Sequence, residues 1–159
     1  MNRSAVIRLA TVDDALAIAR MSRDLIEQGL GWSWTPLRVR RSIDDRSTNV
    51  ALAVRGGMPI GFGIMKYRDD EAHLLLLAVS PACLRQGIGA DLVAWLERSA
   101  QIAGIGQVYL EARSANAAAR AFYRRLGYAE IQLVPGYYGG VEASVRMAKD
   151  LWREQSASA

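Results

Sequence analysis

At 159 residues, with 51% apolar and 23% charged side chains, the chain is long enough to bury a substantial core and too apolar for a disordered segment; one domain is expected over residues 1–152, with a polar, frayed tail over 153–159. A single cysteine, Cys83, and a single histidine, His73, exclude an internal disulfide and argue against a structural zinc site, while the lack of a signal-like apolar run or a stretch of roughly 20 apolar residues predicts a cytoplasmic protein with no membrane partner. The net charge of +4 comes from scattered arginines, densest at Arg38, Arg40, Arg41 and Arg46, and no aromatic ladder interleaves with them, which argues against nucleic acid and leaves room for a polyanionic cofactor or an acidic partner.

In chain order, residues 5–10 alternate as a first strand, and Thr11 with Asp13 and Asp14 supplies a capping hydroxyl followed by early acids, the pattern of a helix start. Leu16, Ile18, Ala19, Met21, Leu25 and Ile26 recur at helical spacing, so a helix is expected over 13–28, stopped by Gly29 and Gly31. The next loop holds Trp32 and Trp34, which either fill the core edge or line a pocket. Pro36 suits a first helical turn and predicts a short arginine-rich helix over 37–46. The period then changes to two, giving strands over 50–54 and 60–67 around Gly56-Gly57 and a third over 72–79 after Asp69-Asp70. Leu74 to Leu77 form an unbroken leucine run, as expected of a central strand covered on both faces; His73 near its start reads as an ordinary surface or core histidine. A helix over 91–103 with Leu92, Val93, Leu96 and Ala100 on one face, a strand over 107–112, a helix over 117–126, and strands over 128–133 and 142–148 complete the chain.

Between the leucine strand and the helix after it lies Arg85-Gln86-Gly87-Ile88-Gly89-Ala90. Glycines at 87 and 89 remove side chains where a ligand can touch the backbone, and the free N–H groups of a helix start suit a phosphate. Two glycines beside a helix start serve close packing equally well, so the loop by itself leaves both readings open. Glu111 lies near the end of a strand whose other face is apolar, where it is placed either for proton transfer or for a salt bridge to Arg113 or another arginine. Asn116 and Tyr123 are seven residues apart, which puts them on one side of a helix and roughly 10 Å apart along its axis; Tyr123 is also placed to pack with Phe122 and Leu126.

The order of these pieces resembles a known family. The glycine loop, the strand ending Leu110-Glu111-Ala112-Arg113 and the block from Asn116 to Tyr128 together are similar to the GNAT superfamily of acetyl-CoA-dependent N-acetyltransferases, across essentially the whole chain. The resemblance implies an α/β (α+β) fold with a mixed, mostly antiparallel central sheet of about seven strands flanked by four main helices. It implies acetyl-CoA as co-substrate and no metal. Main-chain groups of Leu77, Ala78 and Val79 would meet the pantetheine arm, those of Arg85, Gln86, Gly87, Ile88, Gly89 and Ala90 the pyrophosphate, and Asn116 would contact the cofactor from its helix start; Arg120 and Arg124 would reach the adenosine phosphate. Glu111 resembles the family's base, acting directly or through water, and Tyr123 the tyrosine that protonates the departing thiolate. One position departs from the pattern: Leu84 stands where the family usually has Arg or Gln, which shifts the expected binding onto the backbone.

The same motifs, with Tyr137-Tyr138 followed by Glu142-Ala143, look most like the bacterial ribosomal-protein alanine N-acetyltransferase subgroup, which acetylates protein N-termini. That likeness would place Trp32, Trp34, Tyr137 and Tyr138 around the acceptor. A peptide or protein N-terminus is thus the expected partner, with a small amine such as an antibiotic or polyamine, or a lysine, as the alternative acceptor. A non-catalytic acyl-CoA sensor is the non-enzyme alternative, and a homodimer is left open.

Overall fold

The structure, a computed structural model, describes residues 5–136 and 142–153. Seven strands form one sheet in the order β1 (Val6–Leu9), β2 (Thr48–Arg55), β3 (Met58–Arg68), β4 (Glu71–Val79), β5 (Gln107–Arg113), β7 (Ser144–Asp150), β6 (Ala129–Val134). Every neighbouring pair is antiparallel except β4 with β5. Four α-helices join them: α1 (Ala15–Leu25), α2 (Pro36–Asp44), α3 (Ile88–Ile102) and α4 (Ala117–Arg125). This is the mixed, mostly antiparallel sheet with four main helices that the resemblance implies. Among the described residues, no helix is long and apolar enough to cross a membrane.

Local chemistry explains most boundaries. Gly56 and Gly57 both take positive φ (57° and 78°), which a two-residue turn between right-twisted strands requires, so β2 and β3 close as a hairpin. Thr35 caps α2 by accepting from the Arg38 N–H at 3.3 Å, and Pro36 occupies the first turn. α1 is shorter than the expected 13–28 at both ends. A 3-10 turn, Val12–Asp14, precedes it because Asp14 folds back to accept from the Thr11 N–H at 2.8 Å. Its last turn closes where the N–H groups of Ile26 and Glu27 both donate to the Ser22 carbonyl, at 2.9 and 2.8 Å.

The sheet is covered on both sides. The apolar face of α3, formed by Leu92, Val93, Leu96 and Ala100 as expected, packs with Ala51, Met65, Leu74, Val108 and Leu110. On the opposite side Ile18, Ala19, Trp34 and Val39 pack against Val50, Leu52, Phe62 and Ile64. Fully burying side chains of this size contributes about 1.5–3 kcal/mol each, and Phe62→Ala would cost roughly 3–5 kcal/mol.

The feature that creates a site is in β4. Ile64 pairs with Leu76 but Met65 pairs with Leu74, so Leu75 is an extra residue, a bulge. The parallel ladder to β5 runs from Glu71↔Gln107 to Leu74↔Leu110 and stops there. Beyond it β4 stays with β3 as far as Val79↔Gly61, while β5 stays with β7 as far as Arg113↔Ser144. The bulge bends β4 away at the last shared pair, and the two strands splay. β4 is central, as expected, but its leucines are not covered on both faces: Leu74 is buried, Leu75 is 36% exposed, and Leu76 and Leu77 are half-buried. The unbroken leucine run reflects lining of the splay rather than burial within a two-sided core.

Candidate active site

The glycine loop opens a helix, earlier than the sequence predicts. α3 begins at Ile88 rather than near Asp91, and Gly87 caps it in the left-handed region with φ 79°. The first helical bond runs from the Asp91 N–H to the Gly87 carbonyl, 2.9 Å. The N–H groups of Ile88, Gly89 and Ala90 therefore have no helical acceptor, and the positive end of the dipole lies with them. The two glycines have different jobs. Gly87 supplies a backbone conformation that a side chain strains, whereas a Cβ on Gly89 would lie 3.2 Å from Phe122 Cζ, so Gly89 lets α4 close against α3. The close-packing reading of this loop therefore holds for Gly89. Arg85 also has positive φ, 64°, and Arg85, Gln86 and Gly87 are exposed; Ile88 is buried in the core and Ala90 half-buried. Leu84, 57% exposed, adds no polar group to the loop.

A residue that sequence reasoning missed supports this loop. Arg55, the last residue of β2, donates from Nη1 to Gln86 Oε1 at 2.7 Å, and its Nε is buried without an acceptor among the described residues. The pair is 31 positions apart, and nothing local in either segment announces it. Helix-start N–H groups without a helical acceptor, at the positive end of the dipole and beside Arg55, are chemically suited to an anion.

The splay itself is a cleft of about 330 Å³, lined by Leu77 of β4, Glu111 and Arg113 of β5, Asn116 and Tyr123 of α4, and Leu25 and Ile26 at the end of α1. Four of the residues singled out from the sequence therefore share one cavity. Ala78 is buried and Val79 half-buried on the β4 side of the opening. Past Leu74, the edge of β4 that would face β5 is not in a ladder, so its N–H and C=O groups are available to an amide-bearing chain.

Glu111 is the first β5 residue beyond the shared ladder. Val108, Leu110 and Ala112 are buried, and Glu111 is exposed on the opposite face with Tyr109, as the alternation predicts. Neither salt-bridge reading is realised: Glu111 makes no ion pair or hydrogen bond among the described residues, although Arg146 of β7 stands opposite it in register. Asn116 caps α4, its Oδ1 accepting from the Ala119 N–H at 3.0 Å. Two turns on, the Tyr123 ring stands edge-on to Phe122 and to Tyr128, with centroids 5.0 and 5.8 Å apart. The packing expected of Tyr123 is real, yet its hydroxyl makes no hydrogen bond among the described residues. Burial pushes the phenol up to about 12, so it is neutral and holds its proton at pH 7.

The remaining expected residues lie elsewhere. Trp34 is 9% exposed in the α1–α2 core with Arg38 stacked on it at 3.8 Å, and Trp32 donates from Nε1 to the Ala19 carbonyl at 3.1 Å under Arg23. Neither tryptophan lines the cleft; of the two readings for these indoles, Trp34 takes the core one. Tyr137 and Tyr138 lie outside the described residues. Arg120 is committed to Glu130, at 2.8 and 3.0 Å, and to the Ser114 carbonyl, and Arg124 shares the same carboxylate at 3.3 Å, so the two expected phosphate contacts are held by an internal anion instead.

What ties the first helix to the cleft is Glu27, which the sequence reading passed over. It is 8% exposed and accepts from Ser22 Oγ at 2.8 Å, from the Ser33 N–H at 2.8 Å and Oγ at 2.5 Å, and from the Trp34 N–H at 3.2 Å. Burial by itself would raise its pKa, but the donors of Ser33, Ser22 and Trp34 outweigh it and hold the carboxyl below the usual range. The loop after Leu25 and Ile26 is knotted around this one carboxylate.

A carboxylate and a protonated phenol, neither hydrogen-bonded among the described residues, thus border one cleft with an open strand edge. Comparison with known proteins gives the family. Residues 18–128 match the acetyltransferase (GNAT) family. The chain is 34% identical over 118 residues to the [ribosomal protein bS18]-alanine N-acetyltransferase of Escherichia coli strain K12, covering 72% of this chain and 79% of that one. The crystal structure of the ribosomal-protein-S18-alanine N-acetyltransferase from Escherichia coli superposes with a TM-score of 0.81 at 27% identity, over 93% of this chain and 94% of that one. The fold is also that of the PaiA N-acetyltransferase from Thermoplasma acidophilum in complex with coenzyme A, with a TM-score of 0.77 at 20% identity over 93% and 99% of the two chains. The chain described here belongs to the acetyltransferase (GNAT) family.

Proposed function

We propose that this N-acetyltransferase moves an acetyl group from acetyl-CoA to the α-amine of a peptide or protein N-terminus, by direct attack with both substrates bound. The observation that carries this reading is the shared cleft, in which an unpaired Glu111 carboxylate and an unpaired Tyr123 hydroxyl both border the open edge of β4. The likeness to relatives named for acetylating a ribosomal-protein alanine supports the α-amine as acceptor.

The residues present fit the donor. The helix-start N–H groups of Ile88, Gly89 and Ala90 would hold the pyrophosphate, the free edge over Leu77 to Val79 the pantetheine amides, and Asn116 a further polar contact. Acetyl-CoA, when bound, supplies an acetyl thioester. Glu111 would take one proton from the incoming ammonium, directly or through water, and the freed amine nitrogen would bond to the acetyl carbon as the carbon–sulfur bond breaks, its second proton and then the one held by Glu111 leaving to solvent. Tyr123 gives its proton to the leaving sulfur and regains one from solvent. A main-chain N–H of Leu77 to Val79 would be available to stabilise the carbonyl oxygen as it gains charge. An α-amine with pKa near 8 is roughly one part in ten neutral at pH 7, whereas a lysine is a few parts in ten thousand, so an exposed carboxylate serves the former.

The test is thiol release from acetyl-CoA with a panel of N-terminal peptides, N-blocked lysine peptides and polyamines. Turnover with free N-terminal peptides supports the reading. Turnover confined to lysine peptides or small amines overturns the acceptor, and none with any amine favours the sensor alternative.

A further inference from the structure

The face of the sheet that carries Glu111 continues past the cleft into a second hollow of about 240 Å³, and its lining is unusual in charge. Lys66, His73 and Tyr109 stand side by side across β3, β4 and β5; Arg68 and Glu71 face one another one step further from the cleft; Arg146 reaches in from β7. Three permanent cations line the hollow with the Glu71 carboxylate; Glu111 stands opposite Arg146 in register at its edge, and Asp45 lies 4.0 Å from Lys66. His73, whose pKa burial pulls below its ordinary value, is neutral at pH 7 and offers one N–H.

Arg146 is the informative member. By register it stands opposite Glu111, yet no ion pair forms. Its guanidinium instead lies over the Tyr109 ring, 5.0 Å from the centroid, and its Nε is buried with no acceptor among the described residues. A buried donor left without an acceptor is costly, so a group persists in that state where something else supplies the acceptor. The arrangement leaves Glu111 unneutralised for catalysis and leaves Arg146 addressed to an anion beside it.

We propose that this hollow is an acceptor subsite for a carboxylate, and that the enzyme prefers N-termini carrying Asp or Glu at the second or third residue. This rests on the N-terminal peptide reading above. Tyr109 and Glu111 are two residues apart on one face of β5, about 7 Å, which is the length two extended residues span from the reacting amine. The Arg146 guanidinium and the His73 N–H would bind a carboxylate side chain in a manner that a neutral amide does not reproduce.

The experiment measures steady-state acetylation by the full chain of matched peptides beginning with Ala and carrying Asp or Glu, Asn or Gln, or Lys at positions two and three. A charge-assisted contact predicts kcat/KM for the acidic peptides at least about tenfold above that of the amide peptides, expressed in KM. Arg146→Gln should erase that preference, read as the ratio of kcat/KM for acidic over amide peptides measured on the same variant, and Arg146→Lys should restore part of it. Arg68→Gln, at an exposed position, gives a smaller loss of preference and serves if Arg146→Gln does not fold. Equal use of acidic and amide peptides by the wild-type enzyme overturns the subsite, as does a preference that survives Arg146→Gln in a folded protein. Failure to acetylate any peptide, with small amines turned over, overturns the N-terminal reading itself.

Discussion

Replacing Tyr123 by phenylalanine removes one oxygen and keeps the ring that stands edge-on to Phe122 and Tyr128. Because the hydroxyl makes no hydrogen bond among the described residues, no hydrogen bond to them is lost, and stability at pH 7 should change by less than about 0.5 kcal/mol. Turnover should behave differently: losing a positioned general acid lowers kcat by about 10²- to 10⁴-fold, while the dissociation constant for acetyl-CoA stays near that of the wild type. Alkaline stability gives an independent check. The folded chain holds the phenolic proton to about 12, against 10 for an ordinary tyrosine. This stabilisation is whole below pH 10 and is lost as pH rises towards 12, since the unfolded chain releases the proton first. By pH 11 the loss is about 1.4 kcal/mol, and the phenylalanine variant does not suffer it. Thiol-release kinetics, calorimetric titration with acetyl-CoA, and guanidinium unfolding at pH 9 and 11 read the three quantities. A kcat unchanged by the substitution removes Tyr123 as the acid, and a stability difference that is constant between the two pH values refutes the burial of its phenol.

Glu111→Gln should lower kcat/KM by about 10²-fold or more, with the larger loss at pH 6 than at pH 9 because the α-amine is mostly charged below 8; a loss of the same size at every pH points to a scaffold role instead. Glu27→Gln leaves one acceptor for donors from Ser22, Ser33 and Trp34 and should cost about 3 kcal/mol, a fall in Tm of roughly 6–12 °C, while raising the KM of the acceptor through the Leu25–Ile26 wall; a melting temperature within about 2 °C of the wild type, a cost of at most about 1 kcal/mol, contradicts the knot. Its depressed carboxyl makes that contribution complete above pH 4.5 and lost as pH falls below, so the wild-type advantage over Glu27→Gln should shrink on acidification in urea melts. Arg55→Met frees Gln86 and should weaken acetyl-CoA binding by about five- to tenfold with kcat at saturation retained; calorimetry showing an unchanged affinity removes Arg55 from the support of the loop.

What the sequence made legible follows the range of the physics involved. Helix periodicity exposed the buried face of α3, alternation set Glu111 opposite Leu110 and Ala112, and seven-residue spacing brought Asn116 and Tyr123 to one side of α4; each depends on neighbours a few positions apart. Arg55 with Gln86, Arg120 with Glu130, and Glu27 with Ser33 and Trp34 depend on where loops and strand ends meet after folding, and a charged residue carries no local sign of the partner it will find. The instructive failure is Leu74 to Leu77. A strand buried in a two-sided core and a strand lining an apolar cleft draw on the same residues, so composition alone cannot separate them. The single unpaired position at Leu75 decides between the two, by ending the β4–β5 ladder one residue before Glu111. Had the ladder continued, Glu111 would sit beside a paired strand with no opening next to it, and Tyr123 would close on a sheet rather than a cavity. The cleft is therefore a consequence of one extra residue in β4, which opens the sheet so that the leucines, the Glu111 carboxylate and the Tyr123 phenol border one cavity.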